Sequence, residues 1–306
     1  MNPFDTPGLL VPPMTPFAAG GDVDHEAYEE QIEYVLANCD PAAIPLLAVE
    51  AQEYRALSPA ERAETVRRGA EIVDGRVPVI VGASAASPRR AIEFGRIATE
   101  VDADAVQLLI PRRLQGGATR VEELAAFFAE VGDALDLPIV AYHNPGPGAS
   151  LTPDELVRLA RVDAVAAFKE SSRNARRVLT LIERIDRAGL ANYYTTMELL
   201  LVTVLMGGSG GTMPAPPAVI ASDLLAALAD GDLEGALDRQ RAFAEFPAGF
   251  LEHGFPAVMK AALAHVGVDA GVPLSPAGPL PAEVRARLAD RLDAVGLAAH
   301  SASDRR

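Results

Sequence analysis

Short apolar runs alternate with longer amphipathic stretches along most of this chain. An apolar run of about four to eight residues between polar neighbours is typical of a buried strand, whereas apolar positions every three or four residues indicate a helix. Eight runs are predicted as strands: residues 9–17, 43–49, 77–82, 105–110, 137–142, 164–169, 191–195 and 210–213. The pattern weakens after residue 190, so the last two strands rest on short runs.

Helix start signals separate these runs. Ser58-Pro59-Ala60-Glu61 and Thr152-Pro153-Asp154-Glu155 each place a hydroxyl side chain at the N-cap, proline in the first turn and glutamate at the third position, which is a strong start for a helix. Asp24 is predicted to cap the first helix. Predicted helices cover residues 24–36, 58–73, 87–100, 121–135, 174–185 and 198–205, and another begins at residue 152.

Eight units of strand followed by helix in about 230 residues predict a parallel sheet. That number of units at that length indicates an α/β fold, a (β/α)8 TIM barrel, and an open doubly wound sheet is the alternative. Three more helices, predicted at residues 233–246, 256–266 and 281–295, form a C-terminal helical extension. We therefore expect a barrel over residues 1–230, the extension over 231–298 and a disordered tail over 299–306.

Composition narrows the classes of partner. The formal net charge of -15 disfavours binding to nucleic acid or to an anionic membrane, and the longest apolar run, residues 199–206, is too short to span a bilayer. Cys39 is the one cysteine, which excludes an internal disulfide and favours a reducing compartment. Because the first fifteen residues lack the features of a signal peptide, we expect a cytoplasmic protein.

Candidate chemistry centres on Lys169, which follows the apolar run of the sixth predicted strand and precedes the polar sequence Glu170-Ser171-Ser172. An amine at the end of a buried strand loses hydration, which lowers its pKa. The neutral amine is a nucleophile that forms a Schiff base with a carbonyl. The alternative is a lysine that ends the strand and extends its charged head to water.

Tyr142 ends the preceding predicted strand. Active sites of TIM barrels lie at the carboxyl ends of the strands, and neighbouring strands lie about 4.8 Å apart. A phenol beside the amine is suited to transfer the protons that imine chemistry requires. The alternative is an aromatic side chain that packs under a helix.

The five histidines are scattered along the chain without the spacing of a metal site, so no metal is expected.

Seven motifs, taken in order and with their spacing, resemble one known family. They are Met14-Thr15-Pro16-Phe17, Leu57-Ser58-Pro59-Ala60-Glu61-Arg62, Val77-Pro78-Val79-Ile80-Val81-Gly82, Tyr142-His143-Asn144-Pro145, Phe168-Lys169-Glu170-Ser171-Ser172, Gly207-Gly208-Ser209-Gly210-Gly211 and Phe255-Pro256-Ala257-Val258-Met259-Lys260. The chain is similar to the dihydrodipicolinate synthase and N-acetylneuraminate lyase family of Schiff-base lyases.

The resemblance implies a barrel with a C-terminal helical bundle, and a homo-oligomer, either a dimer or a tetramer, that needs no metal or organic cofactor. Lys169 matches the imine-forming lysine of the family, and Tyr142 matches the tyrosine that relays protons. The implied substrate is a small carbonyl compound.

The sequence departs from the family after the second strand. The family's Gly-Thr-Thr-Gly-Glu is Val49-Glu50-Ala51-Gln52-Glu53 here, so Glu50 and Ala51 stand where hydroxyl groups and backbone amides hold the carboxylate of a 2-oxo acid. A carboxylate at this place repels that anion, which argues against pyruvate unless a cation compensates.

A second departure offers such a cation. Arg113 takes the place of a tyrosine that crosses the subunit interface in the family. It is a candidate to pair with Glu50 across a dimer or to hold a substrate carboxylate, and the alternatives are a solvated arginine and a glutamate turned to water. Pro147 replaces the arginine that binds the second substrate of dihydrodipicolinate synthase, so synthesis of dihydrodipicolinate is not expected.

Other residues have weaker assignments. Thr212, beside the Gly207–Gly211 turn, is predicted to contact the substrate. Glu170 and His143 have the opposite strand parity to the catalytic pair, so they are predicted to face away from it, and Glu198 is a weak candidate for substrate contact.

Taken together, these residues and the resemblance predict a lyase or aldolase that makes or breaks a C–C bond through a lysine imine. The alternatives are a hydratase or dehydratase with the same imine, and a ligand-binding protein without turnover.

Overall fold

The structure is a computed structural model that describes residues 8–112, 120–144, 150–274 and 278–297. Its eight strands are all parallel and close into a barrel in sequence order, with β1 paired to β8 through Gly8 and Gly210. The strands are β1 Gly8–Leu10, β2 Pro41–Leu46, β3 Val79–Gly82, β4 Ala105–Leu109, β5 Ile139–His143, β6 Val165–Glu170, β7 Asn192–Thr195 and β8 Gly210–Thr212. The barrel prediction is confirmed, and the open-sheet alternative is wrong.

A helix follows each strand. These helices are α1 His25–Asn38, α2 Pro59–Val73, α3 Pro88–Glu100, α4 Val121–Leu135, α5 Pro153–Leu159, α6 Ala175–Leu181, α7 Leu200–Leu205 and α8 Pro217–Ala229. The predicted caps form: Asp24 accepts from the backbone amides of Glu26 and Ala27, and Ser58 and Thr152 make reciprocal capping boxes. The sequence pattern does not locate α8, because nearly all of its side chains are apolar and give it no polar face.

Two strands end earlier than their apolar runs predict. The segment after β1 contains Pro12 and Pro13, which cannot donate hydrogen bonds to a neighbouring strand. After β2 the chain turns at Leu47, whose φ is 49°, and then forms two short 3-10 turns, Glu50–Gln52 and Tyr54–Ala56. The residues beyond these strands therefore build the rim of the barrel mouth.

The barrel interior is filled by one inward-facing cluster, made of Leu10, Ala43, Ile80, Ala105, Val140, Ala167 and Tyr194. Side chains alternate between the two faces of a strand, so Lys169 faces inward one layer above Ala167. The larger core lies between the barrel and its helices. The closed interior thus leaves Lys169 at the upper end of the packed cluster.

Three further helices follow α8: α9 Leu233–Ala242, α10 Phe255–His265 and α11 Ala282–Ala294, with a 3-10 turn at Ala248–His253. The boundary proposed at residue 230 falls between α8 and α9, and the predicted tail, residues 299–306, lies outside the described residues. Across the described ranges no helix has the length and apolar character needed to cross a membrane.

Candidate active site

Lys169 lies on β6, one residue before the strand ends, and it is paired in register with Tyr142 on β5 and Tyr194 on β7. Only 6% of its surface is exposed. Its Nζ lies over the ring of Tyr142, 4.0 Å from the centroid. The strand register therefore brings together the amine and the phenol that the sequence selected.

Apart from the Tyr142 ring, the Lys169 amine has no stabilising partner among the described residues. No carboxylate there lies within ion-pair distance of its Nζ, and no acceptor hydrogen-bonds to it. Burial lowers the pKa of Lys169 to about 7, against a weaker opposing effect of the negative charge on Glu50. Because the ammonium form is disfavoured, a large share of the amine is neutral at neutral pH and able to attack a carbonyl.

Tyr142 is also buried, at 5% exposure. Burial raises the pKa of its phenol, and the Glu50 charge acts in the same direction, whereas the polar side chains of Ser171 and Asn144 oppose it. The phenol therefore remains protonated at neutral pH, which suits it to donate a proton to an oxygen that leaves the carbon attacked by Lys169.

One cavity of about 370 Å³ opens above this pair. Its size lies near the lower end of small-molecule sites, which span about 300–1,000 Å³. The polar lining residues are Glu50, Tyr142, Asn144, Lys169, Ser171, Arg173, Thr196 and Thr212, and Ala51 also lines the cavity. Leu251, Phe255 and Pro256 of the C-terminal extension form part of the apolar wall. The predicted site residues Lys169, Tyr142, Glu50, Ala51 and Thr212 thus line this cavity, whereas the weaker candidate Glu198 does not, and Arg113 lies outside the described ranges.

Glu50 has a cationic partner that the sequence analysis missed. Arg55 donates to both carboxylate oxygens, at 2.9 Å from Nε and 3.0 Å from Nη2, and the Tyr54 hydroxyl donates at 2.6 Å. Burial alone would raise the pKa of Glu50, but these hydrogen bonds and the Arg55 charge outweigh it and lower the pKa. A cation of its own loop, Arg55, therefore compensates the charge of Glu50, and the pairing with Arg113 stays a prediction because that residue lies outside the described ranges.

Gln52 fixes the loop that carries Glu50. Its side chain is fully buried. Its Oε1 accepts from the backbone amides of Ala48 and Val49, at 2.7 and 3.1 Å, and its Nε2 donates to the carbonyls of Pro13 and Pro45, at 2.9 and 3.0 Å. The family has glycine at this place, so the substitution itself was the available signal for a side chain that organises the loop.

Thr212 ends β8 and is 3% exposed. Its hydroxyl has no hydrogen-bond partner among the described residues, although it belongs to the lining of the cavity. A buried hydroxyl without a partner costs about 1–3 kcal/mol. The cavity therefore offers a ligand one polar group that the fold leaves unused.

The outward face of β5 and β6 carries a separate polar cluster. Glu170 is fully buried and accepts from Nδ1 of His143 at 3.0 Å, from Nε of Arg177 at 3.1 Å and from the Tyr193 hydroxyl at 2.8 Å. As the strand parity predicts, Glu170 and His143 lie behind the strands and not in the cavity. Their hydrogen bonds hold the strand that presents Lys169.

Within the described ranges, no three histidine, cysteine or acidic residues are grouped in a way that would hold a metal ion. The residues that line the cavity offer one carboxylate, Glu50, and both of its oxygens are already bonded to Arg55. The arrangement is thus an amine, a phenol and a paired carboxylate around a small cavity.

Comparisons with known proteins agree with this geometry. The model of the dihydrodipicolinate synthetase family matches residues 5–295. The chain is 31% identical over 295 residues to the 4-hydroxy-tetrahydrodipicolinate synthase of Anaeromyxobacter sp. (strain K), which covers 95% of this chain and 97% of that one.

Two solved structures have a similar fold. A monomeric dihydrodipicolinate synthase variant superposes with a TM-score of 0.86 at 25% identity, over 97% of this chain and 99% of that one. N-acetylneuraminate lyase from Mycoplasma synoviae superposes with a TM-score of 0.80 over 94% of this chain and 97% of that one, and at 20% identity the likeness is one of fold alone.

Proposed function

Because the chain belongs to the dihydrodipicolinate synthetase family and is a class I lyase of that family, we propose that Lys169 forms an imine with a small carbonyl substrate and that the enzyme makes or breaks a C–C bond beside that carbon. The observation that supports this most directly is a buried amine that has no ion-pair partner among the described residues and lies 4.0 Å from the centroid of the Tyr142 ring at the base of the cavity.

The reaction begins with the neutral Nζ of Lys169, which attacks the carbonyl carbon to give a carbinolamine. Tyr142 donates a proton to the carbinolamine oxygen, and water leaves as the C=N bond forms. The iminium then accepts the electron pair of the C–C bond between its α- and β-carbons while the Tyr142 phenolate takes the proton of the hydroxyl group on the β-carbon, so that one fragment departs as a carbonyl compound and the other stays as an enamine. Protonation of the enamine and addition of water release the second product and the free amine.

Tyr142 passes protons in both halves of this sequence: the proton that it gives to the carbinolamine oxygen is replaced by that of the β-hydroxyl, and the proton that it then gives to the enamine is replaced when water adds to the final imine. Its raised pKa makes the phenolate a strong base, so it takes these protons back and returns to the donor form. Glu50, held by Arg55 and Tyr54 with a lowered pKa, remains a carboxylate and serves as an acceptor for a hydroxyl or amino group of the substrate, next to Ala51.

The pairing of Glu50 with Arg55 also bears on the substrate. The two charges offset each other, so the repulsion that argued against a 2-oxo acid is largely removed. A small 2-oxo acid or a related carbonyl compound therefore fits the cavity, and Thr212 supplies a hydroxyl for one of its oxygens.

The family resemblance supports two further parts of the proposal. We expect copies of the chain to assemble into a dimer or tetramer, although one structural relative is a monomeric variant. We also expect the enzyme to act in the cytoplasm on a free small molecule. Neither expectation enters the chemistry of Lys169.

Trapping of the imine tests the function. Cyanoborohydride delivers hydride to the imine and converts it to a stable secondary amine, which adds a defined mass to the protein. The chain has two lysines, Lys169 and Lys260, so peptide mapping assigns the adduct readily. With a panel of 2-oxo acids and aldehydes we expect an adduct on Lys169 and none in Lys169→Ala.

Lys260→Arg is the matched control, because arginine keeps the positive charge beside Glu53 but forms no imine under these conditions. It should be trapped as well as the wild type. Equal trapping of Lys169→Ala and wild type would refute the proposal. Product analysis with the trapped substrate then separates C–C cleavage from loss of water.

A further inference from the structure

Charged side chains of opposite sign line opposite sides of the cavity. Glu50 lies on the loop after β2 and Arg173 on the segment after β6, and both line the cavity. In a closed barrel of eight strands taken in sequence order, β2 and β6 face each other across the axis. The acidic and the cationic groups therefore occupy opposite walls, with Lys169 between them at the base.

Arg173 is held in place from behind. Its Nε donates to Oε1 of Glu198 at 2.6 Å, and the Thr196 hydroxyl donates to Oε2 of the same carboxylate at 2.9 Å. The Glu198 side chain is 18% exposed, whereas that of Arg173 is 53% exposed, and Glu198 is not part of the cavity lining. The ion pair with Glu198 thus restricts the Arg173 guanidinium without covering the side that lines the cavity.

The hydrogen bond to Glu198 uses only one of the five N–H groups that the Arg173 guanidinium offers. Among the described residues, the two terminal nitrogens of Arg173 have no hydrogen-bond partner. These two nitrogens form the fork that binds a carboxylate through two parallel hydrogen bonds. An exposed ion pair alone contributes little, so a role in ligand binding explains the fixed orientation better than stability does.

Thr212 supplies an independent sign that a ligand belongs in this cavity. It lies at the end of β8, two strands from β6 and two strands from β2, and its buried hydroxyl has no partner in the described part of the chain. Arg173 and Thr212 therefore offer a ligand unused hydrogen-bonding capacity at two places in the cavity lining.

We propose that Arg173 determines specificity by binding a carboxylate at the end of the substrate remote from the carbonyl that Lys169 attacks. This inference rests on the proposed imine chemistry and names the substrate class: an oxo compound with a distal carboxylate. The reversed orientation gives the substrate carboxylate no free guanidinium among the described residues of the opposite wall, because Arg55 is already paired with both oxygens of Glu50.

Two probes of the same carbon skeleton test the assignment. Succinic semialdehyde carries a distal carboxylate, and its methyl ester lacks the charge. The concentration that gives half-maximal trapping by cyanoborohydride is measured for each. A charge-assisted, two-point contact predicts that wild type binds the acid about 10–100-fold more tightly than the ester, and that added salt reduces this preference.

Arg173→Gln should abolish the preference for the acid while trapping of the ester stays unchanged. Arg173→Lys, which keeps the charge but loses the fork, should show an intermediate preference. Arg173→Gln combined with Glu198→Gln excludes repulsion from an unpaired Glu198. Arg176→Gln is the matched control, because Arg176 is exposed on the same segment and does not line the cavity.

The outcomes separate the two proposals. If Arg173→Gln keeps the wild-type preference, or if wild type shows none while Lys169 is still trapped, the assignment of Arg173 is wrong and the imine chemistry stands. If neither these probes nor the wider panel modify Lys169 in the wild type, the proposed function itself fails.

Discussion

The two lysines of this chain are similarly buried but differ in their hydrogen-bond and ion-pair partners. Lys169 is 6% exposed and Lys260 is 3% exposed. Lys260 donates to the Val272 carbonyl at 2.7 Å and lies 2.7 Å from the Glu53 carboxylate, whereas Lys169 has neither kind of partner in the described part of the chain. Each amine lies over an aromatic ring, at 4.0 Å for Lys169 and 4.6 Å for Lys260.

The contrast shows that burial is only half of what makes an amine reactive. Burial lowers the pKa of both lysines, but the hydrogen bond and charge of Glu53 oppose the effect at Lys260. At Lys169 the opposing charge is Glu50, which is already neutralised by Arg55. A buried lysine stays an ammonium ion where the fold supplies a carboxylate, and becomes a nucleophile where it does not.

Lys260 has a mechanical role in the same site. It lies on α10 and reaches Glu53, which directly follows the turn that carries Glu50. The other oxygen of Glu53 accepts from the Leu274 amide at 2.8 Å. The ion pair therefore ties the C-terminal extension to the loop that forms the acidic wall of the cavity.

Removal of the Lys260 amine should lower the free energy of unfolding, whereas removal of the Lys169 amine should not. Lys260→Met leaves the Glu53 carboxylate buried without its cation and should lower the free energy of unfolding by about 3–5 kcal/mol. Lys169→Met removes an amine that has no ion pair or hydrogen bond among the described residues, and methionine can still contact the Tyr142 ring, so the substitution should not destabilise the protein. Urea unfolding at neutral pH measures both.

A double variant separates the ion pair from simple packing. Lys260→Met together with Glu53→Gln removes the buried charge while an acceptor remains for the Leu274 amide, so it should recover part of the lost stability. Comparable losses for Lys260→Met and Lys169→Met would show that the two sites do not differ as described.

The lowered pKa of Lys169 also predicts how the difference between wild type and Lys169→Met depends on pH. Between about pH 7, the folded value, and about 10.4, the unfolded value, the unfolded chain binds more protons at this residue than the folded chain. The contribution of Lys169 to stability therefore rises with pH through this window and is constant below it. Lys169→Met should be most stabilising, relative to wild type, below about pH 7.

The rate of trapping should follow the same titration. Only the neutral amine attacks a carbonyl, so at low substrate concentration the rate should rise about tenfold for each pH unit below about 7 and level off above it. The raised pKa of Tyr142 places any loss of the proton donor well above neutral pH. A rate that still climbs steeply from pH 8 to about 10 would mean that Lys169 titrates like an ordinary lysine.

The sequence predicted those features that depend on strand periodicity. Lys169 and Tyr142 were selected because each ends an apolar run, and parallel register then places them side by side. The partners of Glu50 were missed, because Arg55 and Tyr54 reach it only through two successive 3-10 turns with Glu53 at a positive φ of 52°. Such loop geometry leaves no periodic trace in the sequence.

The pairing of Lys260 with Glu53 was equally hidden. It joins the loop after β2 to α10, and such a contact follows from how the extension packs on the barrel and not from any local pattern. The helix α8 was not located because an apolar face on every side gives no amphipathic period. The assignment of Arg113 stays a prediction, since that residue lies outside the described ranges.

The smallest expected effect concerns Glu50, the acidic group of the described residues whose charge acts on Lys169. Its charge favours the ammonium form, so Glu50→Gln should move the midpoint of the trapping rate to lower pH, by a fraction of a pH unit because Arg55 already offsets the carboxylate. Arg55→Gln is the control: it leaves the Glu50 charge unopposed and should move the midpoint upward or not at all. A downward shift in both variants would show that a rearranged loop, and not the charge of Glu50, sets the pKa of Lys169. Opposite shifts in the two variants would establish that the pKa of Lys169 depends on the pairing of Glu50 with Arg55 and not on the presence of Glu50 alone.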